Sequence, residues 1–119
     1  MNLDTAIAAH AAWKTKFRSA IASKEAMDAA TIGKDNCCEL GKWLHGSGAG
    51  VYGSSPAFTA LIQKHKDFHV EAGKVAVLIN EKKYVEAEHA IGAGTPFAAM
   101  SGETGVAINR VKKAMLAEA

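Results

Sequence analysis

The strongest constraint on the fold is a long amphipathic stripe that begins at Ser55-Pro56. Serine followed by proline is typical of a helix start, because serine caps free N–H groups and proline suits the first helical position. The residues that recur at helical spacing from there to about Asn80 are Phe58, Leu61, Ile62, His65, Phe68, His69, Ala72, Val75, Ala76 and Ile79. The pattern predicts a helix over 56–80 with both histidines on its buried face.

Three further segments show helical periodicity. They predict helices over 3–23, over about 82–92, and from Thr95-Pro96 to the C-terminus. Residues 24–34 fit either an extension of the first helix or a short second helix.

A shorter helix is expected between these segments, from about Asn36 to His45. Asp35 is its expected N-cap and Gly46 its end. Residues 46–55 contain four glycines and are expected to form an ordered loop. Since no strand pattern occurs, we predict one all-α domain over 1–119, with an antiparallel four-helix-bundle core and one or two short extra helices.

Composition and charge exclude several classes of protein. The chain is 49% hydrophobic and 22% charged, which is typical of a globular protein rather than a disordered one. Its 14 basic and 12 acidic residues nearly balance and no Lys/Arg run occurs, so we expect no nucleic-acid partner. No apolar stretch is long enough to span a membrane, and Met1-Asn2-Leu3-Asp4 does not resemble a secretory signal. The expected location is therefore cytoplasmic.

The only two cysteines are the neighbours Cys37 and Cys38, which form no disulfide framework. With Asp35 as the N-cap, Cys38 is the third helical residue, close to free N–H groups and the positive end of the helix dipole. We therefore expect an acidified thiol, and the thiolate is both a nucleophile and a metal ligand. Cys37 would point about 100° away on the helix, so it is not expected to be a ligand. A bridge between the two thiols would be strained, which disfavours Cys37 as a resolving thiol.

Three histidines fall on predicted buried faces. His65 and His69 are four residues apart, so one helix directs both rings at one point. His10 lies on the inward face of the first helix, and three buried imidazoles are costly unless a partner satisfies their nitrogens. With Cys38 they offer three nitrogens and one sulfur, a donor set that suits tetrahedral Zn²⁺ and leaves no site for a catalytic water. The alternative is a bundle with buried, hydrogen-bonded histidines and an incidental surface cysteine pair.

Three short segments carry a resemblance to a known family. They are His10-Ala11-Ala12-Trp13, Cys38-Glu39-Leu40-Gly41-Lys42-Trp43 and His65-Lys66-Asp67-Phe68-His69. In order and separation they match the H-x-x-W, C-x-L-G-x-W and H-x-x-F-H signatures of the chemoreceptor zinc-binding (CZB) domain. The chain resembles this bacterial helical module, which occurs on cytoplasmic chemoreceptors and diguanylate cyclases and sometimes alone.

The resemblance implies a zinc ion bound by His10, Cys38, His65 and His69, a four-helix-bundle core and a homodimer. It also implies a regulatory domain without enzymatic activity, which senses zinc, or an oxidant such as hypochlorous acid, through the cysteine ligand. Such a domain would signal by a conformational change in chemotaxis or cyclic-di-GMP pathways. No receptor or cyclase domain is present in the sequence, so the chain either acts on a separate signalling protein or is a fragment of a longer one.

Two other functions remain open. One is a metalloenzyme in which His10, His65 and His69 bind a zinc-activated water, with Glu39 or Asp67 as an acid or base. The other is a purely structural zinc module for dimerisation.

The remaining distinctive residues have simpler interpretations. Trp13 and Trp43 are expected to wall the site, Phe68 to pack in the core, and Gly41 to permit close approach of another helix. His45 and His89 lie outside the three segments and are expected to be solvated or capping side chains.

Overall fold

The computed structural model describes residues 1–118, within which all regular structure is helical. The helices are α1 (Leu3–Ala11), α2 (Trp13–Ser23), α3 (Ala29–Ile32), α4 (Glu39–Leu44), α5 (Ser47–Tyr52), α6 (Pro56–Asn80), α7 (Tyr84–Ala90) and α8 (Pro96–Glu118). The predicted all-α class is confirmed, whereas the antiparallel four-helix bundle stays a prediction. None of the described helices combines the length and the apolar character needed to cross a membrane.

Helix α6 is the element around which the others pack. It begins at Pro56 after Ser55, as the sequence predicts, and contacts α8, α3, α7 and α2. Its buried face contains both His65 and His69 among Leu61, Phe68 and Ala72. The two imidazoles are therefore held on the helix around which the others pack.

The predicted helix over 3–23 is present with one interruption. It is divided into α1 and α2 at Ala12, where the backbone remains right-handed helical. The N–H of Ala12 still donates to the carbonyl of Ala8, and the N–H of Lys16 donates to the carbonyl of Ala12. Residues 24–34 contain a separate short helix, α3, which begins with Asp28 as its N-cap.

Two predictions about the middle of the chain are wrong. Cys38, not Asp35, is the N-cap of α4, which covers only Glu39–Leu44. Asp35 does not cap because its carboxylate pairs with His45, with Oδ2 and Nε2 3.0 Å apart. The expected loop 46–55 contains helix α5, because Gly48 lies directly against the ring of Trp43 and Tyr52 packs near Trp43 and Phe58.

The core consists of two clusters of apolar residues. One contains Leu3, Leu40, Leu44, Phe58, Leu61 and Ile108, from α1, α4, α6 and α8. The other contains Phe17, Ile32, Phe68, Ile79, Ile91 and Phe97. Along α6, His65 falls between Leu61 of the first cluster and Phe68 of the second, so the histidines lie where the two clusters meet.

Candidate metal centre

The four predicted ligands converge on one point, although His10, Cys38 and His65 lie 27 to 55 residues apart in sequence. Sγ of Cys38 lies 3.8 Å from Nε2 of His10, 3.2 Å from Nε2 of His65 and 3.6 Å from Nε2 of His69. Nε2 of His65 lies 3.1 Å from that of His10 and 3.0 Å from that of His69. All four donor atoms lie within 4.8 Å of one another.

These separations fit the donor shell of a tetrahedral zinc ion. Ligand distances of ~2.0–2.1 Å for nitrogen and ~2.3 Å for sulfur require edges of ~3.3 Å between nitrogens and ~3.6 Å between nitrogen and sulfur. The observed sulfur–nitrogen distances lie on both sides of the second value, and the two nitrogen–nitrogen distances are slightly shorter than the first. Five of the six edges therefore lie within about 0.5 Å of those of a zinc shell, and the sixth, between Nε2 of His10 and Nε2 of His69, is at most 4.8 Å.

Backbone carbonyls fix the orientation of two of the rings. Nδ1 of His10 lies 2.8 Å from the carbonyl oxygen of Ala6, and Nδ1 of His69 lies 2.8 Å from that of Ile32. A carbonyl only accepts, so Nδ1–H is the donor in both rings and Nε2 of the neutral ring keeps its lone pair. These two carbonyls were not found from the sequence. The Ala6 carbonyl could have been found, because it lies four residues before His10 on the same helix. The Ile32 carbonyl lies 37 residues from His69, so the local sequence gives no signal for that contact.

The four converging atoms share at most two hydrogens. Nε2 of His10 and Nε2 of His69 are both acceptors, so only His65 and the Cys38 thiol have a hydrogen to share. If the hydrogen of His65 is on Nδ1 instead, it bonds to nothing, because that atom is buried without a hydrogen-bond partner. The thiol hydrogen is then the only one left among the four converging atoms. A cation attracts all four lone pairs at once, which is the simplest way to stabilise this buried cluster.

Cys38 reaches the histidines because of the tight turn before α4. Its sulfur accepts a hydrogen bond from the backbone N–H of Gly41 at 3.3 Å, in the manner of an N-cap side chain. A Cβ at position 41 would overlap the carbonyl of Asp35, so only glycine lets the chain of 35–36 pass so close. Gly41 thus permits the approach of this turn, not of another helix as the sequence had suggested.

Burial determines the protonation of the donors. Burial lowers the pKa of His10 and His69, and in each ring the carbonyl bonded to Nδ1 partly opposes this effect. Burial also lowers the pKa of His65, to about 2. The three rings are therefore neutral and ready to bind a metal at physiological pH. Burial also raises the pKa of the Cys38 thiol, and the N–H of Gly41 only partly opposes it. The prediction of an acidified thiol is thus wrong. A metal must displace the thiol proton when it binds.

Acid should destabilise the chelator-treated protein. The folded-state pKa values of the three rings are depressed, so the unfolded chain binds more protons and stability increases with pH. This contribution is full above the ordinary value of 6.5 and decreases as the pH falls, down to about 2 for His65. Urea unfolding at several pH values checks it, with a His65→Gln variant as the comparison that should show a weaker dependence. An equal pH dependence in the two proteins would contradict the assignment.

The other predicted residues lie outside the donor set. Phe68 contacts the rings of His10 and His69 edge-on, with centroids 5.4 and 5.3 Å apart, so its packing role is confirmed. Trp13 packs on Phe17 and Trp43 on Phe58, so both belong to the core packing, and their place in the wall of the site stays a prediction.

The remaining cysteine and histidines have different surroundings. Cys37 is exposed and is not among the four clustered donors. His45 pairs with Asp35, and His89 is exposed.

Comparison with known proteins agrees with this site. The sequence profile described as "Chemoreceptor zinc-binding domain" matches residues 10–76, which is 67 of the 119 residues and includes all four clustered donors. No curated protein and no solved structure gives a significant match. Zinc is the cofactor of this family, and the three histidines and one cysteine are suited to hold it. The chain therefore belongs to the chemoreceptor zinc-binding domain family.

Proposed function

We propose that the chain is a zinc-binding sensory domain that holds one Zn²⁺ through His10, Cys38, His65 and His69. The observation that carries this proposal is the convergence of three imidazole nitrogens and one thiol sulfur within 4.8 Å of one another, with all three histidines buried. Bound zinc would supply a positive charge that ties α1, the start of α4 and α6 together. Its binding energy then contributes to the stability of this part of the fold.

The position of Cys38 favours a regulatory site over a catalytic one. Its sulfur lies where a catalytic zinc would hold water, within 3.8 Å of each of the three imidazole nitrogens. Of the two suggested acid–base groups, Asp67 accepts a hydrogen bond from Gln63 at 3.0 Å on the exposed side of α6. A metalloenzyme would require Cys38 to leave its place, so we propose no enzymatic activity.

We infer that the signal passes through Cys38. The three histidines are at most 4% exposed, whereas Cys38 is only partly buried and precedes a helix of six residues. Loss of zinc, or oxidation of the sulfur, would free residues 33–39. Leu40 and Leu44 are each 1% exposed and would keep α4 itself in the core. A change confined to this short segment is the proposed output.

Family membership supports the wider context of the proposal. We propose that the domain acts in the cytoplasm as a homodimer with an antiparallel four-helix-bundle core. Its proposed partner is a chemoreceptor or a diguanylate cyclase, so the signal would enter chemotaxis or cyclic-di-GMP signalling.

Hydrogen exchange with and without zinc tests the response. We expect faster exchange in residues 33–39 when zinc is removed by a chelator, and recovery when zinc is returned, because the Cys38–zinc bond restrains this segment. The amides of the buried part of α6 should change little, since apolar packing protects them. A Cys37→Ser variant should behave like the wild type. Equal exchange of residues 33–39 in both states would leave a purely structural zinc module as the better description.

A further inference from the structure

A small cleft leads from the surface to the proposed metal site. It lies between α1 and the start of α4, has a volume of about 200 Å³, and includes His10 and Cys38 in its wall. This volume is below the ~300–1,000 Å³ of sites for drug-sized ligands, so the cleft suits molecules of a few heavy atoms.

The sulfur is the donor that such a molecule can reach. The residues His10, His65 and His69 are 4%, 0% and 2% exposed, and Cys38 is the one of the four ligands that is only partly buried. Sulfur is also the donor that electrophiles and oxidants attack. A reagent in the cleft therefore meets the side chain on which the proposed signal depends.

The lining of the cleft combines apolar walls with one carboxylate. Ala6, Ala9 and Leu40 give the apolar walls, and Glu39 is the one charged side chain of the lining, which also includes Asn2, Thr5 and Met1 with its α-amino group. An anion would have to leave water for an apolar channel beside a carboxylate, which costs free energy that an uncharged molecule does not incur. Asp35 adds a second negative charge near the sulfur.

We infer that the α1–α4 cleft is a selective route by which small uncharged thiol-reactive molecules reach Cys38 and by which anionic reagents are disfavoured. The meaning of this route for sensing rests on the proposed function. The route itself does not, since it is defined by the cleft and is measured on the chelator-treated protein, where no zinc ion attracts the anionic reagent or occupies the sulfur.

Two alkylating agents of similar size and different charge test the route. Iodoacetamide is neutral and iodoacetate is an anion. In each case the thiol loses its proton to water, the sulfur forms a bond to carbon, the carbon–iodine bond breaks, and iodide leaves. A Cys37→Ser background leaves one thiol, so the mass increase measured over time reports Cys38 alone.

Substitutions in the cleft wall and beside it test the route. Ala9→Leu should slow both reagents severalfold, because it fills the cleft from an exposed helical position where leucine is well tolerated. Ala8→Leu is the matched control, since Ala8 is the exposed neighbour on α1 and does not line the cleft. Glu39→Gln should speed iodoacetate by about threefold relative to iodoacetamide, the scale of one unit charge in water-like surroundings. The preference for iodoacetamide should be larger in the folded protein than in the same protein in urea.

The outcomes separate the route from the zinc site. Equal labelling rates for Ala9→Leu and Ala8→Leu, or no change of the charge preference in Glu39→Gln, would overturn the route. Zinc content is measured on the same preparations before the chelator is added. Absence of zinc from the wild type would overturn the proposed metal function, while the order of labelling rates among the variants would still decide the route.

Discussion

Replacing Cys38 by serine should lower the affinity for zinc by at least about 100-fold, because losing only a group that hydrogen-bonds to a metal ligand already costs about 10–100-fold. The fold itself should persist. Serine is a favoured N-cap residue and can accept the hydrogen bond that Gly41 now donates to the sulfur, so α4 keeps its start. Zinc titration against a competing chelator measures the affinity, and circular dichroism measures the helix content.

Cys37→Ser is the matched control for this experiment. It makes the same chemical change one residue earlier, on an exposed thiol outside the donor cluster, and should leave zinc affinity within about twofold, a change that is small beside the loss of a ligand. If Cys38→Ser binds zinc as tightly as Cys37→Ser, Cys38 is not a ligand.

Gly41→Ala should weaken zinc binding and destabilise the fold. The added Cβ would meet the carbonyl of Asp35, with the carbonyl carbon of Asp35 at 2.8 Å and Cα of Asn36 at 3.1 Å. All three are backbone atoms, so either the turn of 35–36 or α4 must move, and Cys38 lies between them. Overpacking of this kind costs about 1–3 kcal/mol, against the ~0.5–1 kcal/mol that alanine usually gains over glycine in a helix. Urea unfolding of the chelator-treated protein and a zinc titration measure the two effects.

Gly50→Ala serves as the comparison. Gly50 is also helical, in α5, but a Cβ there would meet nothing within 4 Å. Alanine at position 50 should therefore be neutral or stabilising and leave zinc affinity unchanged. If the two alanine variants bind zinc equally well, the tight turn before α4 does not position the sulfur.

The histidines were predictable from the sequence because helical periodicity is regular. Two rings four residues apart on a strongly apolar stripe must share a face, and His65 and His69 do lie on the buried face of α6. His10 follows the same rule on α1, where it is buried with Leu3 and Ala6. Their meeting with Cys38 followed from the chemistry of the donors and the matched motifs, not from periodicity.

The surroundings of Cys38 were harder to predict because they depend on tertiary contacts. Cysteine is not a common N-cap, and Asp35 would have been the better choice without its pairing to His45, ten residues away. Glycine content suggested a loop at 46–55. Packing between Gly48 and Trp43 stabilises a helix there, an interaction that local sequence does not show.

X-ray absorption at the zinc edge of the wild-type protein is the most direct measurement of the central claim. We predict one zinc per chain with three nitrogens at ~2.0–2.1 Å and one sulfur at ~2.3 Å. The sulfur shell should be absent from Cys38→Ser and unchanged in Cys37→Ser. A wild-type spectrum with only nitrogen and oxygen neighbours would contradict the proposed site and favour a zinc-bound water in place of Cys38.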